Sequence, residues 1–162
     1  MDTNEYFKAT EMESSGNTEE GFLLLEELAK KGDPLSLLDL SMRYLSTEGY
    51  VNPVKEIEPD EKKSEELAKE ADTRLNELAS DGDGEAMRML ANTYMGHWHP
   101  ALKTTIEEAE KMLLSAFEEN CYFAANDLAT FYQGSDLEKA KFYYKEAERH
   151  GCRVIQNDNL EI

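Results

Sequence analysis

Residues 82–96 read Gly-Asp-Gly-Glu-Ala-Met-Arg-Met-Leu-Ala-Asn-Thr-Tyr-Met-Gly. Counted from Gly82, a small residue stands four on (Ala86), a leucine eight on (Leu90), a small residue nine on (Ala91) and a tyrosine twelve on (Tyr94). The same residue types follow Gly32 as Ser36, Leu40, Ser41 and Tyr44, and follow Asn120 as Ala124, Leu128, Ala129 and Tyr132. Recurrence in one register predicts a repeated helix that opens just after a stop residue. Glycine and asparagine suit such stops because both tolerate the left-handed backbone that ends a helix.

A second register runs backward from Gly32, Gly82, Asn120 and Gly151. Eleven back lie Gly21, Ala71, Ala109 and Ala140; seven back, Leu25, Leu75, Leu113 and Tyr144; four back, Leu28, Leu78, Ala116 and Ala147. Steps of three and four residues place each set on one helical face. One helix therefore precedes each stop and another follows it. The small residues allow close approach of paired helices, and Leu and Tyr fill the gaps between pairs. Helices are predicted near residues 18–31, 34–46, 60–80, 84–95, 105–119, 121–133 and 136–149, with a short extra one within 3–13. Asp33 before Pro34 reads as an N-cap, and Thr105 with Glu108 and Ser135 with Glu138 read as capping boxes. Residues 47–59 hold Gly49, Asn52, Pro53 and Pro59 and predict a loop. The expected architecture is all-α, a solenoid of antiparallel helix pairs in one domain over residues 1–162. Within it, 1–17 is an N-terminal segment, 18–151 the repeats and 152–162 a tail.

Composition narrows the partners. Thirty-five acidic residues against seventeen basic ones leave a formal charge of −18. Phosphate backbones and anionic membranes both need clustered Lys and Arg, so neither is the expected partner. The charge favours solubility and steered capture of a basic protein. Residues 1–16 lack the basic-then-apolar pattern of a signal peptide, and no apolar run approaches the roughly 18 residues that span a bilayer. Two isolated thiols, Cys121 and Cys152, suit a reducing compartment better than a single disulfide, and a cytoplasmic location is expected.

The stretches at 82–96, 124–134 (Ala-Ala-Asn-Asp-Leu-Ala-Thr-Phe-Tyr-Gln-Gly) and 136–147 (Asp-Leu-Glu-Lys-Ala-Lys-Phe-Tyr-Tyr-Lys-Glu-Ala) resemble the Sel-one-like repeat family, a relative of the tetratricopeptide repeats. The likeness runs from about Gly21 to Gly151, with the first repeat departing from it at Ser41 and Ser46. It implies a short right-handed α-solenoid of about three and a half repeats. It also implies a protein that acts as an adaptor or partner-binding scaffold. Small bacterial members also occur as cognate immunity partners of secreted toxins. The family has no catalytic residues to carry over.

Few residue clusters suggest chemistry. His97-Trp98-His99 brackets the only tryptophan with two histidines, but a metal site needs further ligands that no spacing supplies. The segment reads as a turn, with Trp98 either packed on it or standing out as a candidate interface anchor. Cys121 stands at a predicted helix start, where a thiol pKa is lowered, yet no His and acid accompany it by motif; a small core residue is the better reading. His150 falls in a last helical turn, where the helix dipole suits a cation. The Glu-rich run over residues 56–70 is interleaved with Lys62, Lys63 and Lys69 and reads as a solvated face. Neither a metal nor another cofactor is expected.

The partner is expected on a second stripe, at positions three, six, ten and thirteen after each stop if the tetratricopeptide register transfers. These are Leu35, Leu38, Met42 and Leu45, then Glu85, Arg88, Asn92 and Met95, then Phe123, Asn126, Thr130 and Gln133. In the first set Leu35, Leu38 and Leu45 have an alternative role, packing under the helix at residues 18–31 or a terminal helix. The leading expectation is a non-catalytic binding module, most concretely a cytoplasmic immunity protein that occludes a basic toxin. A general adaptor is the alternative, and a metal-dependent enzyme a remote one.

Overall fold

The structure, a computed structural model, describes residues 1–45 and 57–152. The predicted loop at 47–59 therefore lies mostly outside the described residues, as does the tail after Cys152. Among the described residues there are eight α-helices and no strand. They are α1 (Asn4–Ser14), α2 (Thr18–Lys30), α3 (Pro34–Tyr44), α4 (Glu61–Ser80), α5 (Gly84–Tyr94), α6 (Ile106–Glu118), α7 (Phe123–Tyr132) and α8 (Leu137–Arg149). A 3-10 turn, Pro100–Leu102, interrupts the connection after α5.

The stops work as the sequence predicts. Gly32, Gly82, Asn120 and Gly151 all have positive φ, between 63° and 87°. After each, the next residue's N–H reaches back to a carbonyl in the last turn: Asp33 to Leu28, Asp83 to Leu78, Cys121 to Ala116 and Cys152 to Ala147. This is the bond that closes a Schellman motif, repeated at all four stops. Asp33 caps α3 by accepting from the Ser36 N–H at 2.8 Å. The Thr105–Glu108 capping box also forms. The other predicted box does not: α8 is capped by Asp136, whose carboxylate accepts from the Lys139 N–H, and Ser135 lies one residue too early. Asp83 caps α5 in the same way, accepting from the Ala86 N–H.

Both registers supply the core, apart from Tyr44 and Tyr94, which are half-buried. Ser36, Ala86 and Ala124 are fully buried, as are Ser41, Ala91 and Ala129. Leu25, Leu75, Leu113 and Tyr144 are buried too, whereas Leu28 and Leu78 are only half-buried. Burying a Leu or Tyr side chain contributes about 1.5–3 kcal/mol, so this repeated set dominates the stabilisation.

The chain forms two compact units. The first comprises Met1–Glu77 with Gly96–Lys103, and the second Leu78–Met95 with the chain from Thr104 onward. In the first, α1 packs on α2 and α2 on α3. Gly21 brings α2 so close to α1 that a Cβ there would lie 2.6 Å from the Ala9 carbonyl oxygen. An ionic cluster also ties α1 to α3. Arg43, with a side chain only 4% exposed, donates two hydrogen bonds to Glu13 (2.8 and 2.7 Å) and one to Asp39. Tyr6 donates its hydroxyl to the same Asp39. Burial alone would lower the Arg43 pKa, but its bonds to Glu13 and Asp39 carry it above the ordinary value. The guanidinium is charged throughout.

In the second unit, α5 packs on α6, α6 on α7 and α7 on α8. Ala91, Leu113, Leu128, Tyr132 and Ala140 form the centre, flanked by Met95, Met112, Leu114, Phe117, Phe131 and Tyr143. Phe117 meets Tyr143 edge-on, and Tyr143 stacks on Tyr132, whose hydroxyl donates to Glu110. Gly84 lets α5 approach the α6–α7 turn, since a Cβ there would lie 2.9 Å from the Cys121 Cβ.

Candidate functional site

In the second unit the predicted stripe comes together on α5 and α7. Arg88 donates to Glu85 one turn away on α5 (2.7 and 3.1 Å) and to Asp127 on α7 at 3.0 Å. Asn92 donates to the Arg88 carbonyl and to Asp127. Burial would lower the Arg88 pKa, and the Glu85 and Asp127 carboxylates raise it instead. One cation thus holds two carboxylates in a fixed, half-buried arrangement of net charge −1. Phe123, at the start of α7, is 49% exposed beside this cluster's helix, and Thr130 is exposed two turns on. Met95 is half-buried against the core. The face is therefore acidic at its centre, with an apolar ring and small polar groups on the same two helices.

Asp127 was not among the predicted residues. Its position follows seven residues after Asn120, between the stripe and the core register, and spacing alone gave no reason to select it. Its role comes from α5 lying alongside α7.

Two stripe positions require correction. Leu38 is fully buried, so its side chain offers no surface in the first unit; Leu35 is buried with it, and Met42 is half-buried. This fits the alternative in which the first set packs beneath neighbouring helices. Asn126 is 5% exposed, and its amide donates to the Cys152 carbonyl at 2.6 Å. It pins the chain after α8 to α7. Beside it, the Tyr122 ring stacks on His150, which is the C-cap residue of α8.

The remaining candidates are also placed. Cys121 lies before α7, with its thiol 3.3 Å from Glu85. Burial and then the Glu85 charge push its pKa up to about 11, the reverse of what a helix start would do. Such a thiol is a poor nucleophile at neutral pH. His97 is exposed and Trp98 half-buried, while His99 is buried with both ring nitrogens hydrogen-bonded. Among the described residues, no group of three or more His, Cys, Asp or Glu side chains is arranged to hold a metal ion. No described helix is long and apolar enough to cross a membrane. On α4, Glu61, Lys62, Glu66, Lys69 and Glu70 are exposed, with Lys62 paired to Glu66 and Lys69 to Glu65. Comparison of the chain with protein-family models, with curated proteins and with solved structures finds no match.

Proposed function

We propose that this chain is a non-catalytic module that binds a basic protein, and that α5 and α7 present the face it uses. The observation that supports the reading most is the Arg88 cluster, where two carboxylates are held in place with a net negative charge next to the exposed Phe123. A fixed acidic centre loses little entropy when a partner's Lys or Arg approaches, and an aromatic side chain provides the apolar anchor. The overall charge of −18 steers such a partner from a distance. In its concrete form, the chain is a Sel-one-like repeat protein of about three and a half right-handed repeats. It works in the cytoplasm as an immunity protein that covers the active site of a cognate toxin.

Capture from a lysate of the native host, followed by binding measurements with the purified partner, tests this. Phe123 is exposed, so Phe123→Ala should leave Tm nearly unchanged. The same change should weaken binding by about 1–4 kcal/mol. Lys111→Ala on α6 and Lys141→Ala on α8 should bind normally. If those two abolish binding and Phe123→Ala does not, the face is wrongly assigned. An acidic partner would sink the charge argument.

A further inference from the structure

His99 is 2% exposed in the first unit, on the Gly96–Lys103 loop. Its hydrogen bonds fix its chemical state. Ser64 Oγ on α4 lies 2.6 Å from the Ser41 carbonyl of α3, which only accepts, so the single hydroxyl proton of Ser64 points there. The same Oγ lies 2.9 Å from His99 Nε2. Having spent its proton on Ser41, it accepts from an Nε2–H. The Ala101 N–H then donates to Nδ1 at 3.2 Å, capping the Pro100–Leu102 turn. Nδ1 must therefore be bare. A second proton on the ring would sit at Nδ1, set two N–H groups against each other and charge a buried site.

We propose that the Gly96–Lys103 loop is an acid-released latch, held closed by a neutral His99 that bridges the Ser64 hydroxyl and the Ala101 amide. The charged groups around the ring do not offset its protonation. On α4, Glu65 favours the imidazolium and Lys69 opposes it. On α3 the ring reaches the Ser41 carbonyl only through Ser64, while Arg43 donates to both Asp39 and Glu13. The loop itself carries His97 and Lys103.

The sign follows from burial, which holds the His99 pKa below its usual value, while Glu65 raises it and Lys69 lowers it. The closed loop then binds fewer protons than the open one. Closure is at full strength above about pH 6.5 and weakens as pH falls, by at most about tenfold per unit, until the closed ring itself titrates. Release frees the segment that bears Trp98, the protein's one tryptophan.

Hydrogen exchange of the full chain between pH 7.5 and 5, corrected for intrinsic rates, reads the latch at the Ala101 amide, with Trp98 fluorescence as a second signal. In the wild type, protection of Ala101 should fall by up to about tenfold per pH unit below about pH 6.5. His97→Asn should behave the same. His99→Asn keeps an acceptor for the Ala101 N–H but cannot titrate, and its loop protection should be flat across this range. Ser64→Ala removes the acceptor for Nε2–H and should open the loop at a higher pH than in the wild type. Ring carbon shifts at pH 7.5 should report the Nε2–H tautomer. A pH-independent wild-type loop, an unchanged response in His99→Asn, or a charged ring at pH 7.5 would each overturn the proposal.

Discussion

Ser36 is fully buried, and its hydroxyl has no hydrogen-bond partner among the described residues. The matching positions in the other two copies, Ala86 and Ala124, are equally buried and carry no polar atom. An unsatisfied buried hydroxyl costs about 1–3 kcal/mol, so Ser36→Ala should stabilise the protein by about 1 kcal/mol. For a chain of this size that is a rise in Tm of about 2–4 °C, measured by thermal melting. Asn126 behaves oppositely. Its amide is the buried donor to the Cys152 carbonyl, and Asn126→Ala should cost about 1–3 kcal/mol, visible as a lower denaturation midpoint with an unchanged slope. The sequence placed Ser36 correctly as a small packing residue because the repeat register specifies size. It placed Asn126 on an open face because that register says nothing about where an amide finds its acceptor.

Among the elements, the helices were legible nearly to the residue because their boundaries are set by local chemistry: a left-handed stop, an Asp or Thr cap, and a three-to-four-residue apolar period. The contacts between helices were legible only where small residues announced them. Gly21 is the sharpest case. It sits inside α2, where alanine is the better helix former by about 0.8–1.0 kcal/mol. Its absent Cβ is nevertheless what allows α1 to lie against α2, with the Ala9 carbonyl and the Glu13 backbone in the space. Gly21→Ala should therefore destabilise the fold in spite of the propensity gain, by about 1–3 kcal/mol in chemical denaturation. A stabilised variant would mean that α1 is held less closely than this. The Arg43 cluster that ties α1 to α3 left no periodic trace, since Glu13 and Arg43 stand 30 residues apart.

For the whole molecule, the charge of −18 makes a prediction that no single residue does. If the acidic surface steers a basic partner, association should slow by about tenfold or more between low and physiological salt, while dissociation changes little. Stopped-flow mixing with the captured partner measures both, and a salt-independent association rate would assign the charge to solubility alone. Charge, apolar period, stops and caps are properties of the chain read in order, and they suffice for an all-α protein whose helices bury a repeated small-Leu-small face. Which polar groups far apart in sequence meet depends on the tertiary packing. Arg88 finds Asp127 39 residues away, His99 finds Ser64 35 residues away, and Asn126 finds the Cys152 carbonyl 26 residues away. Periodicity fixes which face of a helix turns inward, because every turn repeats the same geometry. It does not fix which of the outward or buried polar groups lie opposite one another, because that depends on how two distant helices are set side by side.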